Sequence, residues 1–465
     1  LLEPSGKADD SRDLLDYGGA MSDPGRISRG RQSLPLYFVL AMLFSSLVID
    51  GFPAGIDVLR EFGSRLTNFI LVLIIAALLF KRLASKSAMT FTRKDILFGG
   101  VVLCGIPAVN LPIALLQAGP DISGPIADWS KQYGMLLWGL ASFWAWKRLV
   151  SAVSPMQLGA LICWGSVLPL ICFFGDLLGI GVIQGMLVAV RTPITERASG
   201  LATEPSLYSA WLAFVWPLVL FYVTRAGSSV KRLSSGLLLL GLCVSAYLSN
   251  ARTIAVIVVL QIMYYAYWVT RNRSGLYRLR SLVILIFIGI AILAVFAGSF
   301  STLTSMELGS NISRIGSTMT ALRVSLAHPV VGVGIGQFKY FFGAYAPDFA
   351  LVSDEILSYV NGTSEFRASS FNLFVRFACE FGIPVGMFFS ALVLYPIITA
   401  VRRRDADRFV FFATLAAIGG VGFWLTQDQY GYQPAILSLA ILSNAVRSPN
   451  ARRPSDVAGI REVIE

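Results

Sequence analysis

Long, uninterrupted apolar runs alternate along this chain with short charged connections. The runs show neither the strict alternation of a half-buried strand nor the one-sided stripe of a soluble amphipathic helix. Crossing a bilayer's hydrocarbon takes about 20 largely apolar residues. Twelve segments come near that length: 34–52, 66–80, 96–117, 132–146, 156–180, 206–224, 233–249, 253–270, 281–302, 372–400, 408–426 and 431–446. The pattern predicts an all-α integral membrane protein of about 12 transmembrane helices. Residues 34–446 are read as one polytopic membrane domain, with 1–33 as a flexible cytoplasmic tail and 447–465 as a cytoplasmic tail.

The charges between the runs set an orientation. Every second connection is rich in Lys and Arg: Arg26, Arg29 and Arg31; Lys81, Arg82, Lys86, Arg93 and Lys94; Lys147 and Arg148; Arg225, Lys231 and Arg232; Arg271, Arg273, Arg278 and Arg280; Arg402, Arg403 and Arg404; Arg447, Arg452 and Arg453. The intervening connections are poor in both. Because cytoplasmic loops concentrate Lys and Arg, this alternation places both termini in the cytoplasm. Residues 302–371 then form a large periplasmic loop between helices 9 and 10. Phe338, Tyr340, Phe341, Phe342, Tyr345 and Phe349 make it too aromatic for disorder, so it is expected to fold as helices over the outer face.

Composition agrees with this picture. The chain is 55% hydrophobic and 14% charged, with a mean hydropathy of +0.68, whereas soluble domains carry about 25% charged residues. That excludes an ordinary soluble enzyme. The net charge of +11 follows from the loop cations, and no basic face with aromatic platforms suggests nucleic acid. The five cysteines all fall inside apolar runs without metal-ligand spacing, and they read as packing residues.

Candidate chemistry collects in the connections expected outside. Residues 191–206 carry Arg191, Arg197 and Glu204-Pro205-Ser206. Proline suits a first helical turn and a carboxylate suits a helix N-terminus, so the segment reads as a helix cap or as an anion site with a neighbouring base. Arg252, in the turn Ser249-Asn250-Ala251-Arg252-Thr253, lies nearly at membrane depth, where an ionisable residue either snorkels or functions. The long loop carries Arg314, Arg323 and His328-Pro329-Val-Val-Gly332-Val-Gly334-Ile-Gly336-Gln-Phe338. No βαβ unit surrounds these glycines, so they read as a tight turn with close backbone approach, not as a dinucleotide fingerprint. His328, the only histidine, reads as a helix end or as a catalyst. Beyond Asn372, Arg376 and Glu380 stand four apart on one helical face, as an ion pair or as substrate contacts. Asp176 and Asp428 lie near the outer ends of runs. One histidine and scattered carboxylates predict no metal site.

These segments, in this order, resemble the O-antigen polymerase and O-antigen ligase superfamily. The resemblance rests on Arg197-Ala-Ser-Gly200…Glu204-Pro205-Ser206, Ser249-Asn250-Ala251-Arg252-Thr253, His328-Pro329…Gly332-Val-Gly334-Ile-Gly336-Gln-Phe338, and Asn372 followed by Glu380-Phe-Gly382, over roughly residues 186–390. It implies a GT-C-like glycosyltransferase of the bacterial inner membrane, acting at its periplasmic face. The implied substrate is an undecaprenyl-diphosphate-linked oligosaccharide, as donor and as acceptor. No cofactor or metal is implied; membrane lipids and a chain-length regulator protein are candidate partners. Ligases of this family resemble one another in a histidine directly before the Asn late in the loop. Here Phe371 precedes Asn372, which favours the polymerase branch. So does an Arg followed after ten residues by Gly, a spacing that Arg323 and Gly334 match and that Arg191 and Arg197 do not.

The chemistry requires cations for the leaving diphosphate and a base for the attacking hydroxyl. Arg191, Arg197, Arg252, Arg314 and Arg323, with Arg376, are the candidate cations; Asn372 and Glu380 are further substrate contacts. Glu204 is the first candidate base, with His328, Glu380 and Asp428 behind it. Two other readings compete: a ligase that transfers glycan to a lipid A-core, and a transporter or flippase of lipid-linked glycans. The arginines and the long loop on one face, without an internal repeat, favour surface chemistry over alternating access. Arg252→Ala is expected to abolish chain growth at unchanged protein abundance. Normal long polymer from that variant, on a gel, would remove Arg252 from the site.

Overall fold

The computed structural model describes residues 68, 70–76, 100–117, 123–183, 198–202, 204–249, 251–272, 283, 305–362, 368–403 and 407–447. Among these residues the chain is helical and no strand occurs. In chain order the helices are α1 (Ile106–Gln117), α2 (Ser123–Ser151), α3 (Pro155–Gly165), α4 (Val167–Leu177), α5 (Pro205–Arg225), α6 (Ser229–Leu248) and α7 (Arg252–Asn272), then α8 (Ser305–Ala327), α9 (Phe338–Tyr345), α10 (Asp354–Val360), α11 (Leu373–Phe381), α12 (Ile383–Arg402), α13 (Arg408–Trp424) and α14 (Gln433–Arg447). Five segments among them are long and apolar enough to cross a membrane: Pro155–Leu177, Pro205–Arg225, Ser229–Leu248, Thr253–Arg271 and Ile383–Arg402. The protein is a membrane protein, helical with no strand among its described residues. The expected runs at 34–52 and, save one residue, 281–302 lie outside the described residues.

Three expected runs differ in detail. The run at 132–146 is the middle of a longer helix, α2. The run at 156–180 starts where expected, on a reciprocal cap between Ser154 and Gln157 with Pro155 in the first turn. It then breaks into α3 and α4 at Ser166, whose hydroxyl bonds back to the Ile162 carbonyl at 2.6 Å. The run at 372–400 is two helices. Gly382, at φ +84°, ends α11, and Pro384 in the first turn starts α12. A side chain is strained at that φ, and proline cannot continue the preceding helical hydrogen bonding.

α5 is the centre of the bundle. It is apolar on every side, and Tyr208, Trp211, Phe214 and Leu218 are all buried; a helix of this kind belongs in the interior. Small residues let α13 approach it closely. A Cβ on Gly419 would lie 2.3 Å from the Ala213 carbonyl oxygen, and one on Gly420 would strike Ser438 and Ala435 of α14. Gln261 of α7 crosses this contact. Its amide nitrogen donates to Ala213 O and Leu415 O at 2.8 Å each, and its oxygen accepts from Trp216 at 3.0 Å. Inside an apolar bundle, close backbones and a satisfied amide supply the association that water would otherwise drive. α6 and α12 are peripheral. α6 exposes Leu233, Leu237, Leu240 and Tyr247, and α12 exposes Met387, Phe388, Leu392 and Tyr395.

The helix-end cations gather at one end. Arg271, closing α7, donates to the Val401 and Arg402 carbonyls that close α12, at 2.7 and 3.2 Å. Asn444 near the end of α14 donates to Lys147 O of α2 at 2.8 Å. Phe221, at the end of α5, meets Phe409 at the start of α13. Residues 305–362 build a subdomain with its own core of Ala321, Val324, Val333, Phe338, Phe342, Ala350 and Ile356. Inside it, burial and the neighbouring Glu355 carboxylate push the Tyr359 phenol above its ordinary range.

Gly419→Ala is expected to cost about 1–3 kcal/mol by overpacking, and Gln261→Leu about 1 kcal/mol. Both are read from thermal melts of the purified protein in detergent. Unchanged melting of Gly419→Ala would refute the close α5–α13 contact.

Candidate functional site

The 368–381 segment is organised by one buried cation. Asn372 caps α11: its side-chain oxygen accepts from the Phe374 and Val375 amides at 3.0 and 3.1 Å. This fixes the first turn and directs Arg376, one turn on, into the bundle. The guanidinium is spent on three elements. Nε donates to Glu380 Oε1 at 3.1 Å, and Nη2 to Gln132 Oε1 of α2 at 2.8 Å. Nη1 donates to the Asp428 carbonyl at 2.9 Å and lies 3.4 Å from its carboxylate. Tyr430 lies under the guanidinium at 4.5 Å and donates its hydroxyl to the other oxygen of Glu380.

Asp428 carries the network back to the turn before α11. It accepts from the Ser369 hydroxyl at 2.9 Å, the Ser370 amide at 2.8 Å and the Ser370 hydroxyl at 3.1 Å. Thr318 of α8 donates to the Ser370 carbonyl at 2.8 Å. Held on both sides, the next residue, Phe371, adopts φ +51°, alone among the described non-glycine residues. Such strain persists only where the surroundings over-determine it. The Arg314 guanidinium lies 5.4 Å from the Phe371 ring, so α8 and this turn meet at a half-buried cation and an aromatic face.

The glycine stretch is where the 305–362 subdomain joins the bundle. Val333 and Gly334 donate to the Cys379 and Glu380 carbonyls at 2.9 and 3.0 Å, and Ile383 donates to Pro329 O at 2.8 Å. Gly332, Gly334 and Gly336 all have positive φ. A Cβ on Gly332 would lie 2.5 Å from Cys379 O, and one on Gly336 2.7 Å from Asp128 O. The expected tight turn with close backbone approach is what the structure contains. Asn110 of α1 accepts from the Ile335 amide at 2.8 Å; Gln337 donates to Pro125 O at 2.9 Å; Asp128 of α2 meets Lys339 and Tyr340 at 2.6 and 2.9 Å. His328 follows the last turn of α8. Its Nε2 is buried without a hydrogen-bond partner, and its ring meets the edges of Phe341 and Tyr345. This is a packed helix end, not the setting of an accessible base.

Glu204 stands exposed at the N-terminus of α5, and its carboxylate accepts from the Ser206 hydroxyl at 2.8 Å. The chain before it is held by Asp176, which closes on the Ser199 and Gly200 amides at 3.0 and 3.2 Å. One turn into α5, the Ser209 hydroxyl meets Ser249 at 3.3 Å. The Glu204-Pro205-Ser206 element and the turn that starts α7 at Arg252 therefore lie side by side. Arg191 and Arg197 lie outside the described residues; for Arg252 only the backbone is described. Arg323 is exposed on α8, with a contact of 3.4 Å to the Tyr345 carbonyl. Among the described residues, no three His, Cys, Asp or Glu side chains converge as a metal ion would need.

Sequence reasoning held Asp428 in reserve and missed Gln132, Tyr430, Ser369 and Ser370. Gln132, a polar residue at the start of an apolar run, was the one local signal; it is joined to Arg376 across 244 positions of chain, and the others are joined to their partners across 50–59.

Residues 236–390 match the family model described as O-antigen ligase. The match spans most of α6, all of α7 to α11 and the start of α12, and supports membership of the O-antigen ligase and polymerase superfamily. Glu204, Gln132 and Asp428 lie outside it. No curated protein matches the chain.

Removing one partner of a buried ion pair leaves the other uncompensated, at about 3–5 kcal/mol. Arg376→Ala is expected to lower stability by that amount in a thermal melt. Arg376→Lys is expected to recover only part of it, because one ammonium cannot serve Glu380, Asp428 and Gln132 in the plane of a guanidinium. A wild-type melt for Arg376→Ala would show that the network is not structural.

Proposed function

We propose that this chain, a membrane glycan transferase of the O-antigen ligase and polymerase superfamily, is a polysaccharide polymerase of the bacterial inner membrane. It transfers a growing glycan from undecaprenyl diphosphate to a hydroxyl of the next lipid-linked repeat unit, at the periplasmic face. The observation that carries this reading is the match of residues 236–390 to the O-antigen ligase family, combined with Phe371 where ligases of the family resemble one another in a histidine. The chain's single histidine is enclosed by Phe341 and Tyr345 and does not replace it.

In the proposed reaction the bond between the donor sugar's anomeric carbon and the diphosphate oxygen breaks. A bond from the acceptor hydroxyl oxygen to the same carbon forms, and the hydroxyl proton passes to a base. A single displacement inverts the anomeric centre. Negative charge grows on the leaving diphosphate, so fixed guanidinium groups stabilise the transition state more than the ground state. Arg191, Arg197, Arg252, Arg314 and Arg323 are assigned this role. Glu204 is assigned as the base; it is exposed, oriented by Ser206, and beside the turn that carries Arg252. Arg376 and Glu380 are assigned to structure, since their charges are spent on one another, Asp428, Gln132 and Tyr430. Asn372 is the cap of α11 and orients the turn beneath Arg314.

The family description itself favours a second reading, transfer of finished glycan to a lipid A-core acceptor. One assay separates the two. Purified protein in nanodiscs is given the lipid-diphosphate-linked repeat unit alone, without nucleotide sugar and with chelator present. The polymerase reading expects a ladder on a gel. No ladder, and a single transfer once lipid A-core is added, would instead establish the ligase. In the ladder assay, Glu204→Gln is expected to lower the rate by about 10²–10⁴-fold with an unchanged thermal melt. An undiminished rate would remove Glu204 as the base.

A further inference from the structure

α8 has its polarity reversed. The face it turns to the 305–362 core is small and largely hydroxylic: Ser313, Ser317, Thr320, Ala321 and Val324 are all buried. The opposite face carries Ile315, Met319, Leu322 and Leu326, spaced four, three and four apart, and these are 60%, 42%, 48% and 64% exposed. At about 100° per residue that spacing is one continuous stripe along the helix. A helix of a water-facing subdomain turns such a stripe inward. Here the inward positions are taken, by Ser353 against Ser313 and by Ala350 against Gly316.

Where the stripe ends identifies what covers it. Past the end of α8, Val330 and Val331 are also exposed. Their backbone lies against Gly382, and Pro329 O accepts from the Ile383 amide at 2.8 Å. Ile383 opens α12, a candidate membrane span with exposed Val385, Met387 and Phe388 in its first turns. Exposed apolar residues therefore follow α8 from Ile315 to Leu326 and resume at Val330 and Val331, where the chain meets the start of a membrane helix. The meeting lies at the end of α12 opposite Arg402. Arg314 and Arg323 flank the stripe on its two sides, the arrangement by which an interfacial helix meets lipid headgroups.

We propose that α8 is an interfacial helix, with the Ile315–Met319–Leu322–Leu326 stripe seated in the lipid of the bilayer leaflet at that end of the bundle. Arg314 and Arg323 then stand at headgroup depth, where anionic phosphate lies. The partner is the bilayer itself, and the inference is independent of the glycosyl-transfer reading. It concerns where α8 sits, and it holds or fails whether or not the protein polymerises.

The test places p-benzoylphenylalanine singly at Met319, Leu322 and Leu326 of the full chain, in vesicles of phosphatidylethanolamine and phosphatidylglycerol. Asp354, exposed beside the Ser353 that packs on the hydroxyl face of α8, is the control position. After irradiation, mass spectrometry is expected to find phospholipid adducts at the three stripe positions and none at Asp354. Covalent dimers in place of lipid adducts would assign the stripe to a second copy. Neither product would mean that the stripe faces water. Both results overturn the proposal. A second variant guards against a misfolded probe: Leu322→Glu, with the probe at Met319, is expected to cut the lipid adduct severalfold while the detergent melt stays unchanged. An undiminished adduct would equally overturn it.

Discussion

A guanidinium sealed from water must have its charge and its donors matched by fixed neighbours, because the desolvation it suffers is several kcal/mol. Arg376 meets that condition by drawing in α2 through Gln132, the turn after α13 through Asp428, its own helix through Glu380, and the approach to α14 through Tyr430. No one of these contacts survives alone. Without Asp428 the cation and Glu380 balance but Ser369 and Ser370 lose their anchor; without Gln132 a guanidinium N–H faces the apolar interior. The elements converge because the buried charge tolerates no looser arrangement. Gln261 performs the neutral version of the same task deeper in the bundle, where two backbone carbonyls and an indole N–H satisfy one amide.

The consequences reach the surface through Asp428. By fixing the Ser370 backbone while Thr318 holds its carbonyl, the network forces Phe371 into a conformation that a free chain would leave. Strain of this kind costs about 1–3 kcal/mol, so it is carried by the buried polar interactions behind it. What it achieves is placement: an aromatic face is held under Arg314, beside the cap of α11. The glycines of 332–336 complete the frame. Gly332 and Gly336 permit backbone approaches that a Cβ would block, Gly334 supplies a positive φ between them, and together they fasten the 305–362 subdomain to α1, α2 and α11.

Much of this was legible in the sequence, and what was not has a physical reason. Pro205 after Glu204 announced a helix start, since capping is local chemistry. The glycines announced close approach. Helical spacing put Arg376 and Glu380 on one face but left an ion pair and substrate contacts both open; the structure pairs them. The 372–400 run, by contrast, read as one helix, because hydropathy does not register a single Gly382 whose positive φ is set by the Pro329–Val331 backbone against it. Gln132, Tyr430 and the serines were invisible as a group. Each is unremarkable alone, and only tertiary packing brings them to one cation. The outward stripe of α8 was hidden differently: its 3.6-residue periodicity is present, but periodicity cannot say whether the apolar or the hydroxylic face turns inward.

The division among the arginines follows from donor supply. A diphosphate is bound by N–H groups that are not already committed, because exchanging one satisfied charge-assisted bond for another yields little net stabilisation. Arg376 has all three nitrogens engaged below the surface, so its charge is neutralised before any substrate arrives. Arg323 has one long contact of 3.4 Å to a carbonyl and is exposed, which leaves most of its fork available. Two arginines of one chain thus do opposite work. The buried one fixes the turn before α11, and the exposed one keeps donors uncommitted, as the proposed reaction asks of a diphosphate ligand.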